Sequence, residues 1–594
     1  MSAVVTPNAE FTVAGARRYD RRSPTRWVLA HLARFWPLLL LFFVASTLTA
    51  VLFAAVPRLT GFAFDVVLQR EPDMRALLVL ALGILAVVLL RGVLDLTASF
   101  SIETLGQRLE RNARDELYQS LLGKSQTFHE RQRVGDVMAR ASNDVRQLNP
   151  MMNPGVALIT ESFNGLIIPL VFIAFIDTRL LLAPLAFEVT FVFALRSYMR
   201  QLNPISSALR RQFGLLSAGL NQTITGIEVV KGTAQEAQEQ ARFGRDAARF
   251  RDFFVRQGLV QARYLPLLLL AVAFTGAFAH ALWLVSRGEL STGELVAYMG
   301  LMGVLRFPAF ISIFTFSLVQ LGLAGAERIL ELMRVDTEFD EHAQGHTARV
   351  QGELVFAGVG FRYQGVPNAR AVLHDVSFRV APGQTVAIVG QTGSGKSTLT
   401  KLVNRIYDVT DGRISLDGVD LRDWQLASLR QQIGVIEQDV FLFSRSVADN
   451  IAFGLGPEVD RQAVIAASKA AQAHAFVMAL PEGYDTVIGE RGATLSGGQR
   501  QRLAIARALL TDPRVLILDD ATSAVDSATE DAIQRAIYAV QQGRTTLMIT
   551  HRLSQIRRAD LVLVLHGGRL IDHGGHAELL ERCPLYQRIF ARYD

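Results

Sequence analysis

The chain's clearest chemistry lies in eight residues: Gly390, Gln391, Thr392, Gly393, Ser394, Gly395, Lys396 and Ser397. They follow the apolar run Thr385-Val-Ala-Ile-Val389 and precede Thr398, where a helix is expected to begin. The pattern is G-x-x-x-x-G-K-S. Its glycines let backbone N–H groups curl around phosphates without Cβ clashes. The helix start that follows adds the positive end of a dipole. Lys396 is then placed to reach the β- and γ-phosphates of a nucleotide, and the Ser397 hydroxyl to ligate Mg2+. A second segment, Val515-Leu-Ile-Leu-Asp519, is an apolar strand ending in a carboxylate. Such a strand presents Asp519 at the C-terminal edge of a sheet, where ligands bind. Alone it reads as an ordinary core strand. Beside a phosphate loop it reads as the second half of an ATPase site, with Asp519 holding Mg2+ directly or through water.

Between the two lies Leu495-Ser496-Gly497-Gly498-Gln499. With both motifs, this pentapeptide makes the chain resemble an ATP-binding cassette transporter. Other positions match the same family. Gln438 stands where the family has its Q-loop, Ser523-Ala-Val-Asp526 resembles the D-loop, and His551 resembles the switch histidine. Tyr363 matches the aromatic residue that stacks on adenine, and Gly489-Glu-Arg-Gly492 resembles a segment that marks exporters. Phe128–Val145 and Gly226–Glu236 resemble the two coupling-helix regions, and Gly293–Pro308 resembles the start of a sixth span.

The resemblance implies a half-transporter that pairs with a second one. Each ATP then sits between the phosphate loop of one chain and the Leu495–Gln499 type motif of the other. It implies nucleotide contacts from Tyr363, from Gly390 through Thr398, and from Ser496, Gly497, Gly498 and Gln499. It implies Mg2+ at Ser397, Gln438 and Asp519, and catalytic roles for Asp520, Gln438 and His551. One position departs from the pattern. The family places Glu directly after the Walker B Asp, to orient and polarise the attacking water, and this chain has Asp520. A shift of about 1 Å in a positioning group costs about 100-fold in rate. The expectation is a slow or non-hydrolytic site of its own, in a chain whose intact Leu495–Gln499 completes a partner's site. A heterodimer is favoured, and a homodimer that tolerates Asp is the alternative.

The elements that must hold these residues come from the rest of the chain. It has 594 residues, 50% hydrophobic and only 20% charged. Charge usually runs near 25% in soluble domains. The single cysteine, Cys583, excludes an internal disulfide or a cysteine metal cluster. A bilayer-spanning helix needs about 20 mostly apolar residues. Six runs qualify: Phe35–Val56, Ala76–Phe100, Gly155–Ile176, Leu180–Leu195, Tyr264–Ser286, and one from Glu294 to Ala326. No comparable run follows Ala326.

Ser101–Pro154 and Arg196–Gln257 are long, polar and helical in spacing, with eight and ten Lys/Arg. The three short loops hold three, one and one. The positive-inside rule places the N-terminus, the long loops and the C-terminal half in the cytoplasm, in a multi-pass protein of the cell (inner or plasma) membrane. Up to Arg334 there are 34 Lys/Arg against 25 Asp/Glu; beyond it, 27 against 30. The net charge of +6 therefore belongs to membrane topology, and nucleic acid is not an expected partner.

The expected fold class is an α-helical six-span transmembrane domain plus an α/β P-loop nucleotide-binding domain. The expected boundaries are a cytoplasmic N-terminal segment 1–34, a transmembrane domain 35–326, a linker 327–351 and the nucleotide-binding domain 352–594. The expected activity is ATP-driven export of a hydrophobic or amphipathic small molecule or a lipid by alternating access. The alternatives are a mainly ATP-binding regulatory subunit and a siderophore-type importer on an exporter fold.

Arg91, Asp95, Glu161, Glu188 and Arg306 lie in or beside spans, and intramembrane charge is by default a functional candidate. The i,i+4 spacing of Arg91 and Asp95 also fits a simple pair. Phe307, Phe310, Phe314 and Phe316 read as a greasy path or as lipid contact.

Overall fold

The computed structural model describes residues 9–13, 17, 19–263, 265–339, 341–363, 370–456, 458–489, 492, 494–519 and 527–590. The chain divides into two compact units. One is Arg17–Tyr118 with Met138–Arg334; the other joins Met1–Ala16, Gln119–Val137 and Val335–Asp594.

The first unit is helical. Among the described residues, six helices are long and apolar enough to cross a membrane, within Trp36–Val67, Met74–Leu122, Val134–Ala174, Thr178–Thr225, Leu268–Ser286 and Thr292–Ile311. Each of the six expected runs overlaps one of them, with Tyr264 of the fifth run outside the described residues. Their exposed faces carry large apolar residues such as Leu82, Leu89, Val93, Val192 and Phe193, as a lipid-facing surface requires. The long polar segments are continuations of the spans. The helix Met74–Leu122 has 49 residues and Leu182–Thr225 has 44. At a rise of about 1.5 Å per residue each is more than twice as long as a hydrocarbon core of roughly 30 Å. The last span breaks at Leu305, between Thr292–Val304 and Arg306–Arg334. Its second part runs to Arg334, so the first residues of the expected linker are helical. Around Pro150 and Pro154 the third helix carries π-type turns, Arg140–Asp144 and Met151–Val156. Missing proline donors break the regular ladder at the second of these turns.

Close approach and polar ties hold the bundle. A Cβ on Gly293 would lie 2.1 Å from the Gly61 carbonyl oxygen, and a Cβ on Gly300 2.7 Å from Pro57. Small residues of this kind let membrane helices touch through their backbones. Asp65 accepts from the Ser291 hydroxyl and from the Gly293 N–H, both at 2.8 Å. This ties the end of the first span to the capped start of the sixth, where Ser291 and Glu294 form a capping box. The Tyr298 hydroxyl donates to the Leu180 carbonyl at 3.0 Å.

Before the first span, the short helix Pro24–Ala33 is clamped by one carboxylate. Buried Glu116 accepts from Trp27 Nε1 at 2.8 Å and Arg21 Nε at 2.8 Å, and lies 3.0 Å from His31 Nε2.

The second unit contains two sheets. Strands β1 (Leu354–Phe361), β2 (Leu373–Val380), β4 (Asp411–Leu416) and β5 (Val419–Asp420) form an antiparallel sheet in the order β2-β1-β4-β5. Strands β3 (Thr385–Gly390), β6 (Ile433–Ile436), β7 (Val515–Asp519), β8 (Thr545–Ile549), β9 (Leu561–His566) and β10 (Arg569–Gly574) form the other, in the order β10-β9-β3-β8-β7-β6. From β9 to β6 its neighbours are parallel, and only β10 is antiparallel. β3 and β8 are buried almost end to end, the uninterrupted apolar run of a parallel strand covered on both faces. On one face Ile388, Ile517 and Ile549 pack with Leu399 and Leu402 of the helix Lys396–Val403. On the other, Leu516, Leu518 and Met548 pack with Leu503, Ala504 and Ile505 of the helix Gly497–Thr511.

Candidate functional site

The phosphate loop leaves β3 and enters the helix Lys396–Val403, whose N-cap is Gly395. Gly395 has φ +98°, and a Cβ there would also meet a Leu373 methyl at 2.7 Å. Both conformation and space therefore demand glycine at this position. The Lys396 ammonium donates to the carbonyls of Gly390 at 2.8 Å and Gln391 at 3.0 Å, which holds a cation over the loop. Ser394 Oγ is buried with no hydrogen-bond partner among the described residues, a polar atom inside the cradle with bonding capacity to spare. Ser397 is exposed at the start of the helix.

Sheet register brings the remaining residues to one edge. Asp519 pairs with Ile549, and Ile549 with Ile388. Asp519 and the start of the phosphate loop therefore lie level, with only β8 between their strands. At about 4.8 Å per strand that is a separation of about 10 Å. His551 follows β8 by two residues, and Gln438 follows β6 by two. Both are exposed. Since β3, β8, β7 and β6 are neighbours in that order, Gly390, His551, Asp519 and Gln438 leave the C-terminal ends of four adjacent parallel strands, the usual ligand edge of such sheets.

Tyr363 follows β1 and stands edge-on to Phe361 and Tyr407, with centroids 4.8 and 5.3 Å apart. Its hydroxyl is 3.0 Å from the Thr398 hydroxyl on the phosphate-loop helix. The adenine-stacking candidate and the phosphate loop thus share a hydrogen bond. Sequence reading misses Tyr407, because its importance lies in a contact with Tyr363, 44 positions away.

Ser496 caps the helix Gly497–Thr511. Its hydroxyl accepts from Gln499 N at 3.3 Å, and Gln499 Oε1 accepts from Ser496 N at 2.9 Å. A Cβ on Gly497 would meet nothing within 4 Å, so this helix start offers accessible backbone donors. It belongs to a different hydrophobic cluster from the phosphate loop. Asp520 and Ser523–Asp526 lie outside the described residues, as do Glu490 and Arg491.

In the helical unit the Arg91 guanidinium sits 4.2 Å over the Phe53 ring. No ion pair joins Arg91 to Asp95 among the described residues, so cation–π contact replaces the pairing expected from their spacing. Glu188 Oε1 is buried without a hydrogen-bond partner among the described residues. Cys583 is buried among Ile556, Leu579 and Tyr586, as an ordinary core thiol.

Comparison with known proteins covers both units. The ABC transporter transmembrane region matches residues 39–309, and the ABC transporter domain matches residues 373–523. An uncharacterized ABC transporter ATP-binding protein of Bacillus subtilis, YknU, is 32% identical over 94% of this chain and 95% of its own length. An ATP-dependent lipid A-core flippase of Albidiferax ferrireducens is 34% identical over 95% of this chain and 97% of its own. A flippase of the same name from Pseudomonas aeruginosa is 36% identical over 87% and 86%. Among solved structures, a bacterial Atm1-family ABC exporter with ATP bound superposes with a TM-score of 0.78 at 30% identity, covering 95% of this chain and 98% of that one. Six spans followed by an ATP-binding domain, matched along almost their whole length, place this multi-pass membrane protein in the ABC transporter family, with the architecture of a half-transporter.

Proposed function

We propose that the chain exports a lipid or another amphipathic compound, by alternating access driven by ATP. The observation that carries this is the alignment of the phosphate loop, Asp519, Gln438 and His551 on one sheet edge, in a chain collinear with relatives named as lipid A-core flippases. Tyr363 stacks on adenine, and Gly390 through Thr398 cradle the phosphates. Ser496 through Gln499 present backbone donors to the ATP held by a second half-transporter. The separation of those two elements onto different cores within one chain supports that division.

The hydroxyl of Ser397, the amide of Gln438 and the carboxylate of Asp519 make an all-oxygen donor set that suits Mg2+. When bound, Mg2+ neutralises charge on the β- and γ-phosphates. Lys396 adds a fixed cation, and Asp520, Gln438 and His551 take the catalytic positions. The domain boundaries are 1–34, 35–326, 327–351 and 352–594. The N-terminus and the ATP-binding domain face the cytoplasm of a cell whose inner or plasma membrane holds the six spans.

Asp520 favours a heterodimer in which this chain's own site hydrolyses slowly. The direct test is reconstitution with whatever chain co-purifies. ATP-dependent accumulation of a fluorescent phospholipid in the lumen of inside-out vesicles supports export. ATP-driven depletion would instead mean import, and no ATP-dependent movement of lipids or amphipathic dyes would sink the reading. Asp520→Glu should raise ATP turnover of the assembled dimer by up to about 100-fold at this site. Vigorous hydrolysis by the purified wild-type chain alone would remove the heterodimer.

A further inference from the structure

The turn that carries His551 is braced by two glutamines that lie outside every motif. Thr550, between β8 and His551, is 1% exposed. Its hydroxyl accepts from the Arg552 N–H at 3.1 Å and donates to Gln555 Oε1. The first bond closes a small turn with His551 at its centre. The second reaches the helix Leu553–Ile556 just beyond. Gln555 Nε2 in turn donates to Gln534 Oε1 at 3.1 Å. Gln534 lies on the helix Ser527–Gln541, which follows Asp526 of the D-loop-like segment directly in sequence. All these residues belong to one compact unit.

A hydroxyl has one proton to give. Thr550 gives it to Gln555, which leaves a lone pair turned toward the Arg552 N–H. The Gln555 amide is used at both ends, its oxygen by Thr550 and its nitrogen by Gln534. Donors and acceptors therefore run in one direction, from the Arg552 N–H through Thr550 and Gln555 to Gln534. The apolar anchors of the two helices are separate. Ile556 packs with Ala387, Val389 and Val562, whereas Ile533 and Ile537 beside Gln534 pack with Leu516, Leu518 and Met548. The contacts that join the two segments include this chain of bonds and the Arg558 guanidinium, 5.8 Å over the Tyr538 ring. Surface solvation accounts for a pair of glutamines on neighbouring helices. It does not account for a buried threonine beside His551 whose hydroxyl is spent in both directions, where an unbonded one would be costly.

We propose that Gln555 is a positioning residue: by holding the Thr550 hydroxyl and bracing on Gln534, it sets the turn that aims His551 at the nucleotide. The proposal rests on the catalytic reading of His551 above, and the test separates the two. Gln555 acts through Thr550 and the backbone on either side of His551. A displacement of about 1 Å in a positioning group costs about 100-fold in rate, so loosening this turn should remove most of what His551 contributes. The loss should fall on kcat and leave KM alone, because Tyr363, Lys396 and the phosphate loop, which hold the nucleotide before reaction, are untouched.

ATP hydrolysis is measured on the full-length transporter in nanodiscs, reconstituted with whatever chain co-purifies and carrying Asp520→Glu so that this chain's own site turns over. The part of kcat that His551→Ala removes is the part that this histidine supplies, and it sets the scale. Gln555→Leu deletes both polar atoms of the amide at comparable bulk. It should remove at least about half of that part, with KM within about twofold. Gln555→Glu keeps an acceptor for Thr550, and Gln534 can turn its own amide to donate, so it should lose less than about half as much as Gln555→Leu. Gln534→Leu removes only the brace and should give a smaller loss of the same kind, which keeps the test decisive if Gln555→Leu does not fold. Added to His551→Ala, neither leucine variant should lower kcat further, because residues that act through one group are not additive. A merely structural role would lower both backgrounds alike. An unchanged kcat in either leucine variant, a rise in KM in place of the fall in kcat, or an equal loss with and without His551 overturns the positioning role alone. An unchanged kcat in His551→Ala overturns the catalytic reading of His551 and the proposal with it.

Discussion

Glycine does opposite work at two places in this molecule. In the helical unit, Gly61 and Gly293 bring two backbones so close that a Cβ on either would strike the other's carbonyl oxygen, at 2.4 and 2.1 Å. Nothing there is left open for a ligand, because the bare surface is used up by another helix. In the ATP-binding unit, Gly395 turns the chain with φ +98° into the helix that follows, and a Cβ on Gly393 would meet nothing within 4 Å. The absence of a side chain makes a contact between Gly61 and Gly293 and leaves open space at Gly393. Particular polar groups at these two places differ as well. Asp65 and Glu116 each spend their oxygens on several protein donors, whereas Ser394 Oγ has none among the described residues. A buried hydroxyl with bonding capacity to spare, beside a glycine-rich turn at a helix start, has the character of a binding site.

This contrast can be broken by substitution. Lys396→Ala should have the largest effect, reducing ATP hydrolysis at this chain's own site at least about 100-fold, the loss typical of a removed phosphate-stabilising group. The helical unit should be untouched, with unchanged helical content by circular dichroism. A large loss of helix would show that the loop is structural after all. Gly293→Leu should do the reverse. The new side chain collides with the Gly61 backbone and with Asp65, and overpacking of this kind costs about 1–3 kcal/mol or more. Thermal unfolding in detergent should shift down by several degrees while a fluorescent ATP analogue still binds within twofold. Unchanged melting would mean that the close approach carries no load.

Glu116→Leu tests a polar tie and should have the smallest effect of the three. It strands Trp27, His31 and Arg21, and lost bonds to a buried charge cost about 1–3 kcal/mol. Limited proteolysis should then cut near Pro24–Ala33 before any other site, with ATP binding intact. A wild-type cleavage pattern would show that the short helix is held by apolar packing alone.

The parts of this protein that could be read from its sequence are those whose information is local. Each of the six spans is a run of apolar residues, and each run overlaps a long helical stretch. The phosphate loop is eight consecutive residues, and its strand and helix flank it as expected. The chain also resembled its family at scattered single positions, among them Gln438 and His551, because each sits beside a recognisable strand. Other features escaped. The polar stretches after the second and fourth spans read as loops with helical spacing, yet each begins as the same helix continuing, to Leu122 and to Thr225. Apolar composition reports the thickness of the membrane and says nothing about where a helix ends. Arg91 and Asp95 have the spacing of an ion pair, but the ring of Phe53 on another helix takes the guanidinium.

What the sequence determined alone was therefore the pair of unlike halves: an apolar set of spans carrying the basic excess, and a mildly acidic ATP-binding domain. Both follow from composition and short motifs, which act over a few residues. Only the tertiary structure decided which distant residues meet. It set Asp519 level with the phosphate loop through β8, closed Glu116 around the helix Pro24–Ala33, and joined Tyr407 to Glu130 across 277 positions. Contacts at that separation are fixed by how whole sheets and helices pack, and no local pattern of residues encodes the packing.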